Sequence, residues 1–479
     1  MEATWTSTGE SRRLQGDPDW SYDDTFEREI IRKLDWHIIP IVVLVYLFSF
    51  LDRVNIGNAR LYGLEKDLDL IDNRYQVAVS LFFVTYLLFE LPSNLVLKKF
   101  TASRYIASLA VLWSIVASLT GLVKTYHQLL VCRILLGIFE AGLFPGLAVY
   151  LTFFYTRSQL ALRIGYLAAT PALAGACGAP YGIGHLDGTG GKRGWRWIMI
   201  LEGIPSFFLG IVTFFFLADN PSQATYLTPS EREFLRLRRL REQGETANAQ
   251  KFHWEDVKKT FLDWRVIAFA IAQFGVDTML YGFSIFLPTI IQHIGHWSTP
   301  VTQLTIPCYF LGALSFLTVA YLADRTQRRG PFCVVFGCIA IIGYIILLSS
   351  HAAGVQYFGC FVVAFGLYIV AGLPLSWLPV NTPRYGKRAA GSGLQLTVGN
   401  SSGVMVPFLY TKAPRFIKGH AVSLAMVAAG TTIYGILWYS YMQVNKARAR
   451  GDEEKKIVGM TGEEIDEMGD ESPRFRYIE

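Results

Sequence analysis

Apolar and polar positions change along this chain in blocks, not at single residues. About twelve long, mostly apolar stretches, each bounded by a short polar segment, fill the region from residue 36 to residue 443. A hydrocarbon core about 30 Å thick needs about 20 helical residues to cross it, so each block predicts a membrane-spanning helix. The first six spans fall near 36–60, 76–97, 103–123, 127–153, 161–183 and 197–217, and the second six near 264–292, 302–322, 332–350, 357–380, 389–411 and 421–443. Thr228-Pro229-Ser230-Glu231, in the polar stretch between the sets, is a capping box with proline at the first helical position. Arg236, Arg238, Arg239 and Arg241 follow it and predict a basic amphipathic helix at the cytosolic surface. The expected division is a cytosolic tail 1–33, a first half 34–217, a cytosolic linker 218–263, a second half 264–445 and an acidic cytosolic tail 446–479. Glu463, Glu464, Asp466, Glu467, Asp470 and Glu471 predict that the last of these is disordered.

Composition supports a chain that spans a lipid bilayer many times. It is 52% hydrophobic and 17% charged, where a soluble protein carries about 25% charge. The net charge of +6 comes from basic residues between the spans, so it reports topology and argues against a nucleic-acid partner. Loop 323–331 holds Arg325, Arg328 and Arg329, and loop 381–388 holds Arg384, Lys387 and Arg388, whereas the loops near 295–300 and 351–356 hold none. This bias places both termini in the cytosol. Cys132, Cys177, Cys308, Cys333, Cys338 and Cys360 fall in spans and form no CxxC, so neither a metal site nor a disulfide framework is expected. No P-loop, zinc motif or nucleophile elbow is present, so an enzyme and a bound cofactor are not expected either. The polar first 33 residues lack a cleavable signal peptide, which leaves targeting to the first span.

Two ionisable clusters inside apolar spans carry the functional expectation: Asp52-Arg53-Val54-Asn55 in the first, and Arg133 with Glu140 in the fourth. A charge at mid-bilayer costs about 2.5–3.5 kcal/mol on insertion scales, and those retained there mark substrate paths, proton relays or ion pairs. Asp52 lies about 24 Å above the inner end of its span and Arg133 about 9 Å below the outer end of its own, at 1.5 Å per residue. In a core of about 30 Å these depths nearly coincide. Glu140 is two turns from Arg133 on the same face, with Gly137 between them to admit a close neighbour. The expected path runs from Asp52 and Arg53, past Arg133, to Glu140. A guanidinium fork matches a carboxylate, and a carboxyl in low dielectric can carry a proton. The competing reading of Arg133 is a structural clamp on Asp52 or Glu140.

Other polar positions divide between transport and packing. Glu90 precedes Pro92 and is read either as functional or as a partner at a kink. Asp277 and Tyr281 lie one turn apart on the seventh span, and Gln395 and Asn400 lie on the eleventh; each contacts substrate or bonds a neighbouring helix. Gly175, Gly178, Gly182 and Gly184 around Pro180 predict close packing and freedom to rock. His185 and His420 fall in outside loops and His351 at the end of the ninth span, so all three are expected to be solvated.

Several segments resemble known signatures. Tyr321-Leu322-Ala323-Asp324-Arg325-Thr326-Gln327-Arg328-Arg329-Gly330 resembles the loop signature of the major facilitator superfamily, and Arg133-x-x-x-Gly137-x-x-x-Ala141 resembles a second one. Leu51-Asp52-Arg53-Val54-Asn55-Ile56-Gly57-Asn58-Ala59 and Gly137-Ile138-Phe139-Glu140-Ala141-Gly142-Leu143-Phe144-Pro145-Gly146 are similar to the anion:cation symporter family. With Glu90-Leu91-Pro92-Ser93-Asn94 and Lys98-Lys99-Phe100-Thr101-Ala102-Ser103-Arg104-Tyr105, the likeness is to the fungal allantoate permease branch. The resemblance implies an all-α membrane protein of twelve transmembrane helices in two pseudo-symmetric six-helix halves, working as a monomer in the plasma membrane. It implies import of a small organic anion with protons by alternating access. Asp52 and Glu140 would carry protons, and Arg53, Asn55, Tyr86 and Arg133 would line the substrate site. Asp324, Arg325, Arg328 and Arg329 would form a cytosolic gate. Nicotinate, pantothenate, allantoate, biotin and dicarboxylates all remain open as substrates. An exporter of drugs or toxins with the same fold is the first alternative, and a nutrient-sensing receptor the second.

Overall fold

A computed structural model describes residues 24–97, 100–176, 186–245, 254–295, 297, 300–453, 457, 459–461, 464–465 and 468–479. Lys98, Lys99, Cys177, Gly178, Pro180, Gly182, Gly184, His185, Glu463, Asp466 and Glu467 lie outside the described residues, as do the side chains of Arg239 and Arg241.

Each expected span falls on a helix or a broken pair of helices. In the first half these are α1 (Asp24–Leu61), α2 (Arg74–Leu97), α3 (Ala102–Thr120), α4 (Tyr126–Glu140) with α5 (Leu143–Leu151), α6 (Arg157–Ala176) and α7 (Gly194–Phe216). The linker carries α8 (Pro229–Glu245) and α9 (Trp254–Leu262). The second half comprises α10 (Trp264–Ile294), α11 (Val301–Thr326), α12 (Gly330–Ser349), α13 (Ala353–Gly372) with α14 (Pro374–Val380), α15 (Tyr385–Met405) and α16 (Ile417–Ala449). Nine helices among the described residues are long and apolar enough to cross a membrane. Their outward faces expose Leu119, Phe215, Phe310 and Tyr439, the surface expected of helices that meet lipid. The fold is all-helical.

Breaks in the helices follow local chemistry. α4 stops at Glu140 and resumes at Leu143, where Pro145 lacks the N–H needed to bond back into the preceding turn. Gly142 sits against the Ser93 side chain there, leaving no room for a Cβ. α8 starts as the capping box requires: Thr228 N–H donates to Glu231 Oε2 at 2.8 Å and Glu231 N–H to Thr228 Oγ1 at 3.3 Å. Glu231 also takes Lys33 Nζ of α1, and Arg238 reaches Glu27, so the linker helix is tied to the first half.

The halves close against each other at the end of the bundle away from the chain termini. Gly57 of α1 packs on the Ile285 carbonyl of α10, and Gly175 of α6 packs on Tyr309 of α11. Ser80 Oγ of α2 donates to the Val404 carbonyl of α15 at 2.8 Å. Phe83 and Tyr281 meet edge to face at 4.7 Å. A cavity lies between the halves on the terminal side of this seal.

Two expectations are corrected. His420 is not in a solvated loop: α16 begins at Ile417, four residues earlier than the apolar pattern suggests, and the residue is 3% exposed between Tyr410 and Tyr344. The acidic tail is not disordered over residues 468–479, which dock under the second half. Tyr477 stacks on Tyr441 at 4.5 Å and lies beneath the Arg448 and Arg265 guanidinium groups. Asp470 pairs with Lys387 at 2.7 Å, and the Ile478 carbonyl accepts from Trp377 Nε1 at 2.8 Å and Asn381 Nδ2 at 3.0 Å. Aromatic stacking and buried pairing outweigh the low hydrophobicity of the stretch. Burial, then the nearby Asp470 carboxylate, pushes the Tyr477 phenol up to about 12, so it stays neutral and donates to the Asp470 carbonyl at 2.9 Å. Tyr477→Ala removes a buried aromatic worth about 3–5 kcal/mol. Hydrogen exchange should show protection of residues 475–479 lost in that variant. Unchanged protection would mean that the backbone bonds alone hold the tail.

Candidate functional site

Neighbouring residues of α1 point in different directions and divide the site into two layers. The cavity is lined by Tyr46, Phe50, Arg53, Tyr86, Glu90 and Phe144 of the first half, among others, and by Gln273, Asp277, Tyr281, Tyr368, Leu396 and Asn400 of the second. Arg53 is 5% exposed and rests on aromatic faces, with its guanidinium carbon 4.9 Å from the centre of Tyr86 and 5.1 Å from that of Phe82. Its Nη2 donates to Glu140 Oε2 at 3.1 Å, and Ser49 Oγ donates to the same oxygen at 3.2 Å. Among the described residues, Glu140 Oε1 and Arg53 Nε have no hydrogen-bond partner. The pair is therefore half-satisfied: the arginine keeps donors and the glutamate keeps an acceptor.

Asp52, one residue away, faces a different side, toward α3 and α7. Its Oδ2 accepts from Trp113 Nε1 of α3 at 3.1 Å and from Ser206 Oγ of α7 at 3.2 Å. Asn55, one turn on, bonds Glu202 of α7 through its side-chain amide. Arg133 is 3% exposed, and among the described residues it makes no hydrogen bond or ion pair. The path expected from Asp52 and Arg53 past Arg133 to Glu140 is thus shorter in the structure: Arg53 reaches Glu140 directly. Gly137 does admit a close neighbour, sitting against Thr85 and the Phe82 carbonyl of α2.

The remaining candidates also separate by layer. Glu90 lines the cavity and its Oε2 accepts from Thr397 Oγ1 of α15 at 3.2 Å, across the two halves. Tyr281 donates to Asn400 Oδ1 at 2.5 Å on the cavity wall. Asp277 accepts from Gln273 at 2.9 Å. Gln395 instead bonds Gln273 at 3.1 Å, and Tyr434 bonds the same oxygen at 3.2 Å, so Gln395 ties helices together and does not line the cavity. In the loop between α11 and α12, Arg329 reaches Asp324 at 3.6 Å, the Ser376 carbonyl at 2.6 Å and, through its N–H, the Glu479 carbonyl at 2.5 Å. Arg325 and Arg328 are exposed. Sequence reasoning missed Glu202; a lone glutamate inside the sixth span was the available signal.

Known proteins place this geometry. A profile of the Major Facilitator Superfamily matches residues 42–407. The high-affinity nicotinic acid transporter of Saccharomyces cerevisiae is 33% identical over 94% of this chain and 85% of its own length. An uncharacterized transporter of Schizosaccharomyces pombe is 37% identical over 94% of this chain and 90% of its own. Among solved structures, a bacterial homologue of the human lysosomal transporter Spinster, in an inward-facing and unoccupied conformation, superposes with a TM-score of 0.63. It is 16% identical and covers 85% of this chain and 97% of its own.

Proposed function

The chain belongs to the Major Facilitator Superfamily and is a multi-pass membrane transporter, and from that premise we propose that it imports a small organic anion together with protons by alternating access. The observation that carries this reading is Arg53: a buried guanidinium on the wall of the central cavity, bonded to Glu140 and still holding an unpartnered Nε. An anion in the cavity would find there both a fixed positive charge and a planar donor fork. By taking donors from the Arg53–Glu140 pair it would leave Glu140 with less positive charge nearby, and the carboxyl would then take a proton. Substrate and proton would thus enter together. With both termini in the cytosol, the sealed far end makes this the inward-facing form.

The lining favours a planar substrate. Tyr46, Phe50, Tyr86, Phe144, Tyr281 and Tyr368 line the cavity with the arginine, and aromatic walls hold flat rings by offset stacking. A pyridine carboxylate of the nicotinate kind suits this chemistry, and the Saccharomyces relative carries that substrate in its name. The test is uptake of labelled carboxylates, nicotinate first, by cells expressing the chain, across external pH. Accumulation that rises as external pH falls supports the reading. Reduced cell content of the label would assign an exporter instead.

Arg133 has no hydrogen bond or ion pair among the described residues, and its Nε is buried without a partner; leaving a guanidinium buried and unpaired is costly. We propose that its partner, the substrate or a first-half carboxylate, reaches it in another step of the cycle. Arg133→Lys keeps the charge but loses the fork. A hydrogen bond to a charged group is worth about 1.5–3 kcal/mol, so transport should fall roughly ten- to a hundred-fold at normal surface abundance. Near-normal kinetics would leave charge alone, or nothing, as the requirement.

A further inference from the structure

Behind the cavity wall, one turn of α1 faces one turn of α7. Asp52 lies opposite Ser206, and Asn55 opposite Glu202. Glu202 is 3% exposed and Asn55 fully buried. Asn55 Nδ2 donates to Glu202 Oε2. Two atoms of this pair have no hydrogen-bond partner among the described residues: Glu202 Oε1 and Asn55 Oδ1. Both are acceptors, so neither can serve the other as long as the carboxyl is ionised. A single proton on Oε1 makes that oxygen a donor. The carboxamide and the carboxylic acid are then complementary in two hydrogen bonds, and both orphaned atoms have a partner of the right kind.

The surroundings point the same way. The one titratable group that faces Glu202 among the described residues is Asp52 from α1, and Asp52 is in turn faced by Glu140 and Arg133 from α4. α3 contributes Trp113, which serves Asp52, and Ser118, which abuts Gly203. Among the described residues no lysine or arginine pairs with Glu202 or Asp52: Arg53 is spent on Glu140, and Arg133 pairs with nothing. A buried carboxylate in such a place costs several kcal/mol and neutralises itself instead.

We propose that Glu202, with Asn55, is a proton-binding site of the first half, occupied in this conformation and separate from the substrate cavity. It rests on the proton-coupled reading above only for its role; occupancy is a property of the protein at rest. In transport, Glu202 binds and releases a proton once per cycle alongside Glu140.

The test uses the purified full chain in liposomes. Glu202→Gln reproduces the protonated form, because a glutamine amide can pair with Asn55 in the same two bonds. It should keep the wild-type thermal midpoint at neutral pH, hold it at high pH where the wild type declines, and remove one protonated-carboxyl band from the infrared spectrum. Glu202→Ala, which leaves Asn55 unpaired, should melt lower than both. A Glu202→Gln variant that melts lower than wild type at neutral pH, or an infrared spectrum that keeps every protonated-carboxyl band, would overturn the occupied site. A separate measurement addresses the role: accumulation driven by a pH gradient should be lost in Glu202→Gln, and retention of wild-type accumulation would overturn the coupling role. If the wild type transports no anion at all, the anion-import reading fails while the infrared and melting results still stand.

Discussion

Arg53→Lys is expected to lose about a hundred-fold in uptake kcat/KM while reaching the membrane in normal amounts. The side chain does three things at once that lysine cannot combine. It bonds Glu140 at 3.1 Å, it lies flat on Tyr86 and Phe82, and it leaves Nε turned to no protein partner. An ammonium is a compact, strongly hydrated charge that neither stacks as a plane nor offers a fork. Loss of a charge-assisted bond is worth about 1.5–3 kcal/mol, and loss of a desolvated cation–π contact about 2 kcal/mol. Lysine recovers part of each, which leaves about 3 kcal/mol, or roughly a hundred-fold. Initial rates of nicotinate and related carboxylate uptake, normalised to surface-labelled protein, decide the matter. A lysine variant within a few-fold of wild type would move the anion site away from Arg53.

The second large effect is expected at Glu140. Glu140→Gln keeps the shape and one acceptor for Arg53 and Ser49 but removes the titratable oxygen pair. Accumulation driven by a pH gradient should collapse in proteoliposomes, while exchange of labelled for unlabelled substrate at equal pH on both sides continues. Exchange needs the anion to bind and the halves to rock, and neither step consumes the proton gradient. The variant leaves Arg53 buried beside a neutral group, so Glu140→Asp serves as a control that keeps the charge. Persistence of gradient-driven accumulation would shift the coupling proton to another carboxyl, with Asp52 and Glu202 next in line.

Much of the site was legible in the sequence because the bilayer makes charge conspicuous. Arg53, Asp277, Tyr281 and Asn400 all line the cavity, and each stood out as a polar or amphipathic group inside an apolar block; Tyr86 lines it too, and that expectation came from the family resemblance alone. Glu90 was read evenly between transport and packing, and it lies on the cavity wall while bonding Thr397 across the two halves. Where reading failed, the missing information was a neighbour distant in sequence. His420 is buried because Tyr344 and Tyr410 come to it from other elements. Residues 468–479 are ordered because Tyr441, Arg265, Trp377 and Lys387, on four different helices, supply a dock for an otherwise polar strip. Glu202 carried a signal of its own, yet its meaning depends on Asn55, 147 positions earlier in the chain.

The sequence by itself determined which blocks form long apolar helices, where the helix after Thr228 starts and which ionisable groups are kept inside apolar helices. Those properties depend on block length, a four-residue capping pattern and the cost of burying charge, all of which are local. Only the tertiary structure decided what each group faces. Asp52 and Arg53 are adjacent in sequence, but a helix turns about 100° per residue at 3.6 residues per turn. One therefore points into the cavity toward Glu140 and the other toward Trp113 and Ser206. Which of the two faces the cavity is set by how α1 is rotated against α2, α3 and α7. That rotation is fixed by packing between helices, where no single segment of sequence records it.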